Sequence, residues 1–155
     1  MNILNFENQI ISQASKYEAK ITRDVWGVPH VSGKRDADVA FGLAFAHAED
    51  DIKNIAENMY LYRAQMGLKE GSSGAVIDYL IKALKIRERV KEQYEMVLTE
   101  KVREVIEAYA LGLNYWMVKN PNNKYKKHFP FTSEDIVAGF AIQNLLFSGV
   151  VSSIQ

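Results

Sequence analysis

Residues Lys16 to Ser32 read KYEAKITRDVWGVPHVS. From Lys16 to Val25 polar residues alternate with apolar or small ones, the two-residue period of a strand with one face turned inward. Gly27 permits a turn, and Pro29 holds Val28 extended, so a second short strand follows to Ser32. The stretch over about residues 18–32 is thus a hairpin. A two-stranded hairpin is marginal in water by itself. These strands call for a sheet to join.

Downstream the period lengthens. From Asp36 the pattern is helical, with Asp36 or Asp38 as N-cap and Ile52, Ile55, Ala56, Met59 and Met66 at or near one face. This predicts a helix over about 36–67. The run from Gly67 to Gly74 is rich in breakers and reads as a loop. Ile77, Leu80, Ile81 and Leu84 open a second helix, over about 75–95. Thr99 is the N-cap of a third, over about 99–119, where Val102, Val105, Ile106, Tyr109, Leu113 and Trp116 form the clearest apolar stripe in the chain. Asn120-Pro121 ends it. Thr132 and Asp135 have the spacing of a capping box. The fourth helix that follows, over about 133–148, is apolar nearly all round and is expected to be buried. The expected class is mostly α with a short β hairpin at the start, one domain over residues 1–155.

Composition narrows the functions. A chain of 155 residues, 48% apolar and 25% charged, is ordinary globular material. Nineteen basic residues cancel nineteen acidic ones. Such a chain has no global field for nucleic acid or an anionic membrane, and neither is expected as a partner. There is no cysteine, which excludes disulfides, zinc-thiolate sites and thiol nucleophiles. No apolar run approaches the roughly 20 residues of a membrane span. The start, MNILNFENQIISQ, carries Glu7 and lacks basic residues, so no signal peptide is expected there.

The local motifs have plain explanations first. His47 and Asp51 are four apart and could share a helix face, but two ligands make no metal site, and a solvated or salt-bridged face explains the run His47 to Asp51 better. His30 reads as a structural, hydrogen-bonded imidazole. Lys124, Lys126 and Lys127 form a solvated basic loop. Gly42, Gly112 and Gly139 sit inside helical patterns, which points to close helix approach. No phosphate-binding glycine loop, GxSxG elbow or catalytic triad order is present.

Two segments carry more. Ile21-Thr22-Arg23-Asp24-Val25-Trp26-Gly27-Val28-Pro29-His30-Val31, followed by Phe41-Gly42-Leu43-Ala44-Phe45-Ala46-His47-Ala48-Glu49-Asp50-Asp51, resembles the start of the penicillin acylase family, with its RDxxGVPHI strand and small-residue helix. Collinear matches follow. Tyr60 to Gly67 resembles the arginine- and glycine-ended close of that helix. Asp78-Tyr79-Leu80 is similar to a DYL of the acyl-homoserine-lactone acylase branch. Glu107 to Tyr115 resembles the EAYADGxNxY segment, and Asp135 to Phe140 the family's final α-chain helix. The resemblance spans roughly residues 18 to 150.

It implies the α chain of an N-terminal-nucleophile hydrolase, whose precursor cuts itself into a small α chain and a larger β chain beginning with serine. That serine, activated by its own α-amine, would cleave an N-acyl amide of the β-lactam side-chain or acyl-homoserine-lactone type, in the bacterial periplasm. The β chain would complete an αββα sandwich. No catalytic residue is then expected here; Ser152 and Ser153 are internal and lack a free α-amine. Leu146-Phe147 aligns with an Arg-Phe pair at the acyl pocket of penicillin G acylase, so Phe147, with Leu146, is the expected substrate wall. The alternative for Phe147 is a core aromatic at the end of a buried helix. Ser153 stands near the position of a calcium-binding glutamate, so no metal ligand, and no cofactor, is expected from this chain. The competing function is a non-enzymatic helical binding module of the same fold.

Overall fold

The computed structural model describes residues 3–148. In chain order these form α1 (Ile3–Ala14), β1 (Ala19–Arg23), β2 (Pro29–Gly33), α2 (Asp36–Tyr62), α3 (Gly67–Glu70), α4 (Ser72–Ala83), α5 (Ile86–Val97), α6 (Glu100–Lys119), a 3-10 turn (Lys126–His128) and α7 (Ser133–Phe147). The chain is mostly helical with one antiparallel hairpin near its start, as the sequence implies. It groups into two compact units, residues 1–53 with 100–133 and residues 54–99 with 134–155.

In the first unit the hairpin pairs Ile21 with Val31 and Arg23 with Pro29. Along both strands the residues alternate between half-buried and exposed. The inner face lies on α2. A Cβ at Gly42 would come within 2.7 Å of Ala19 Cβ and 2.8 Å of Val31 Cγ1. On the opposite side of α2, two residues or about 200° away, Ala44 meets α6: a Cβ at Gly112 would overlap the Phe41 carbonyl and lie 2.8 Å from Ala44 Cβ. The small residues Ala40, Ala44, Ala46 and Ala48 are accordingly buried on both sides of the helix. Tyr17 stacks on Phe41 with ring centroids 4.9 Å apart, and Phe41 leans on Tyr115. Ala14, Ala37 and Ala108 complete this core.

The N-cap of α2 is neither Asp36 nor Asp38. The helix begins at Asp36 itself, which makes Arg35 the capping position. Asp38, buried in the first turn, reaches back to accept the Arg35 backbone N–H at 3.1 Å and the Arg35 guanidinium at 2.6 Å. This is the return half of a capping box. α1 was not anticipated, although Ile10 and Ala14, four apart, are its buried contacts.

In the second unit the core is Ala64, Ile81, Ile86, Ala138 and Ile142, with Tyr62 and Val90 against it. Two expected boundaries are corrected. The helix expected to reach Gly67 ends at Tyr62. Gln65 N–H donates to Tyr60 O and Ala64 N–H to Leu61 O, a Schellman closure with Ala64 at φ 51°. The helix expected over 75–95 is two, α4 and α5, broken at Lys85 with φ 52°. On one continuous helix Ile81 and Ile86 would point about 140° apart. The left-handed residue between them turns both into one core. The expected burial of α7 also needs correction. Asp135, Ala138, Gly139 and Ile142 face inward, and Gly139 lets the Tyr62 ring approach to 2.7 Å of where a Cβ would stand. Phe140, Gln143 and Phe147, spaced at i, i+3 and i+7, are exposed.

Asn114 of α6 acts as a strand partner without a strand: its Nδ2 donates to Phe131 O and its Oδ1 accepts from Phe131 N–H, both at 2.8 Å and buried. Asn114→Asp keeps the shape but sets a carboxylate oxygen against the Phe131 carbonyl. Thermal or denaturant unfolding of this variant is expected to show a loss of about 1–3 kcal/mol or more at neutral pH, with Asn114→Ser losing less.

Candidate functional site

The turn between the strands is organised by two side chains from the RD pair. Asp24 Oδ1 accepts the backbone N–H groups of Trp26 and Val28, each at 2.9 Å. Gly27 supplies φ 83°, with open space where a Cβ would stand. Arg23 then fastens the turn to α2. Its Nη1 donates to Gly27 O at 2.8 Å, and its Nη2 lies 3.0 Å from Glu49 Oε2 and 2.8 Å from Asp50 Oδ1. His30 Nε2 stands 3.4 Å from Asp24 Oδ2 on the exposed face. The arrangement holds Val25 and Trp26 out at the tip, 88% and 85% exposed. Its contacts hold the backbone of the turn and tie it to α2. Its product is a rigid apolar tip.

The other quoted motifs meet in the same way. Asp78 Oδ1 and Oδ2 accept Met66 N–H at 2.7 Å and Gly67 N–H at 2.8 Å, at the first turn of α3. Arg63 grips Asp135 through Nε at 3.1 Å and Nη2 at 2.7 Å, and Arg87 adds Nη1 at 2.9 Å. Asp135 is 1% exposed. Both Arg63 and Arg87 escape sequence reasoning as partners; the only signal is that Arg63 and Asp135 lie in two of the quoted segments.

The expected acyl-wall residues lie at the end of α7. Phe147 is 87% exposed and Leu146 50% exposed. Phe147 therefore takes no part in the core of this chain. The run His47 to Asp51 does not form a cluster: His47 Nδ1 is 2.6 Å from Tyr109 OH, Glu49 and Asp50 hold Arg23, and Asp51 breaks the helical backbone at φ −147°, ψ 40°. Lys126 of the basic loop pairs with Glu7 at 2.9 Å rather than standing in solvent. Among the described residues no group of three or more His, Cys, Asp or Glu could hold a metal ion, and no helix is long and apolar enough to cross a membrane. Ser152 and Ser153 lie outside the described residues.

A sequence model described as penicillin amidase matches residues 18–153. The chain belongs to the penicillin amidase family. The penicillin acylase 2 proenzyme of Pseudomonas sp. (strain SE83) is 28% identical over 100 residues, which cover 63% of this chain and 12% of that protein. The acyl-homoserine lactone acylase PvdQ of Pseudomonas fluorescens (strain Pf0-1) is 24% identical over 125 residues, covering 75% of this chain and 16% of that protein. The chain thus matches less than a fifth of the length of these relatives. Among solved structures, a chain of the thermostable penicillin G acylase from Alcaligenes faecalis shares its fold, with a TM-score of 0.70 at 18% identity, over 89% of this chain and 76% of that one.

In this family member the paired carboxylates give the site a pH signature. The Asp24 carboxyl is held below the ordinary aspartate value, by the Val28 N–H foremost, then the Trp26 N–H and His30. Asp38 is likewise lowered, by the Arg35 guanidinium first and then by the backbone N–H groups of Glu18 and Arg35. Both folded values lie below the unfolded one, so their stabilisation is present above the unfolded value of about 3.9 and is lost as pH falls through the folded value. Melting temperatures of wild type, Asp24→Asn and Asp38→Asn from about pH 7 to about pH 2 test this. The gap between wild type and each variant is expected at neutral pH and closes below about pH 4; a gap that stays constant contradicts the assignment.

Proposed function

We propose that this chain is the small, α subunit of a linear-amide hydrolase, matured by autocatalytic cleavage of a precursor and completed by a larger β chain. One observation carries the reading. The chain matches only 12% of a relative named as a proenzyme, yet it covers 76% of one chain of a solved penicillin G acylase. A segment this size is a small part of a long precursor and most of a separate chain in an enzyme of the same fold. Val25, Trp26, Phe140 and Phe147, all exposed and apolar, supply surface for the β chain to cover.

In this reading the β chain closes the αββα sandwich on the hairpin and presents its N-terminal serine. The serine hydroxyl attacks the amide carbonyl and its own α-amine takes the proton, an amine that titrates near 7.7–8.0 and is partly free at neutral pH, about where such a base works best. The amine leaves, and water then releases the acid. Phe147 and Leu146 contribute a wall for the acyl group. The acyl-homoserine lactone and penicillin acylase names of its relatives make N-acyl amides of those two kinds the substrates to try, and the bacterial periplasm is the location this reading proposes.

Co-expression of this chain with the serine-initiated segment of its precursor tests the proposal. Hydrolysis across a series of N-acyl-homoserine lactones and a phenylacetyl amide is expected from the assembled pair and from neither chain alone. Phe147→Ala should shift kcat/KM toward longer or bulkier acyl groups, by up to about fourfold per added methylene (~0.8 kcal/mol). The melting temperature of the lone chain should hardly change, because Phe147 is exposed there. Amide hydrolysis by the lone chain, or none by the assembled pair on any member of the series, overturns the reading.

A further inference from the structure

Between α5 and α7 lies a groove of about 350 Å³, near the lower end of the roughly 300–1,000 Å³ typical of small-molecule sites. Val90 and Val97 of α5 and Val137, Ala141 and Leu145 of α7 line it. These walls offer hydrocarbon and nothing to hydrogen-bond. Leu145 is about 200° around α7 from Phe147, so the groove lies on the opposite side of the helix from that ring.

Three side chains with polar groups, Arg89 and Gln93, one turn apart on α5, and Tyr94 beside them, share the lining; Arg89 is its one cation, and no Asp or Glu lines it. Arg23, Arg35, Arg63 and Arg87 each hold a carboxylate. Arg89 is different: among the described residues neither its guanidinium nor the Gln93 amide has a hydrogen bond or ion pair. An unneutralised fork of N–H donors beside an apolar trough matches a ligand with one anionic head and one aliphatic tail. We propose that the groove binds a medium-length aliphatic carboxylate, its chain lying between α5 and α7 and its carboxylate accepting hydrogen bonds from Arg89, with Gln93 as a second donor. The limited volume favours a medium chain over a long one. A single cation backed by a neutral amide favours a monoanion. The proposal is independent of amide hydrolysis, and its test has no hydrolytic readout.

Calorimetric titration of the full chain with decanoate and decyltrimethylammonium, each kept below its micelle concentration, and with decan-1-ol kept below its solubility limit, reads the site directly. Sedimentation with phosphatidylglycerol vesicles separates a free acid from a lipid surface. Decanoate is expected to saturate one site, with decyltrimethylammonium not binding. Arg89→Gln, a change at an exposed position, should weaken decanoate about tenfold or more and leave decan-1-ol unaffected. Val97→Trp, also at an exposed position, should fill the groove and abolish both, with the melting curve as a check on folding. Decanoate binding unchanged by Arg89→Gln, equal binding of the cationic amphiphile, or association with vesicles but not with monomeric decanoate overturns it.

Discussion

The first half of α2 is covered on two opposite faces, and the first unit is arranged around that fact. Gly42 admits the hairpin on one side, and Gly112 of α6 admits the Phe41 carbonyl and Ala44 on the other. Interaxial distance depends on the side chains at the contact, and at both positions even the Cβ of an alanine would collide with the facing element. With both faces of the helix closed, the hairpin has a surface to lie on without a third strand among the described residues. The Arg23 anchor then reaches Glu49 and Asp50 near the far end of that same helical stretch.

Around this frame Asp38 and three residues of the quoted motifs serve as fasteners. Asp38 ties Arg35 and the Glu18 backbone to the start of α2, Asp78 ties Met66 and Gly67, Asp135 gathers Arg63 and Arg87, and Asn114 holds Phe131. Each is a buried polar group whose partners come from elsewhere in the chain. Removing one partner of such a buried ion pair typically costs about 3–5 kcal/mol, because the remaining charge cannot return to water. That asymmetry explains why polar residues recur in the quoted segments of a chain with no nucleophile assigned to it. Their work is to fix loops and helix starts, as Asp24 and Arg23 fix the turn that carries Trp26.

Much of this was legible from the residues. The hairpin followed from alternation plus Gly27 and Pro29, and α6 from its stripe. The close approaches at Gly42, Gly112 and Gly139 followed from glycines placed inside helical patterns. What was not legible has definite physical causes. α2 ends at Tyr62 and is closed by Ala64, where alanine takes the left-handed conformation that usually signals itself as glycine. The α4–α5 break has no Gly or Pro, and only the shared burial of Ile81 and Ile86 requires it. The uniform apolarity of α7 hid an exposed face, since composition cannot say which side of a helix meets its own chain. The ion pairs Arg23–Glu49, Arg87–Asp135 and Arg63–Asp135 join residues 26, 48 and 72 positions apart, beyond any local spacing rule. For the same reason Phe147 could be placed on a helix end by alignment, but its exposure could not be foreseen.

The claim that α2 is the element on which the unit depends is tested most directly by native-state hydrogen exchange. Amides from Phe41 to Ala48 are closed in on both sides, whereas α5 buries only Ile86. The account predicts that the Phe41–Ala48 amides are among the slowest in the chain, exchanging only through global unfolding, while those of α5 exchange earlier through local opening. If the first half of α2 exchanges as fast as α5, the double-sided packing is not what holds this unit together.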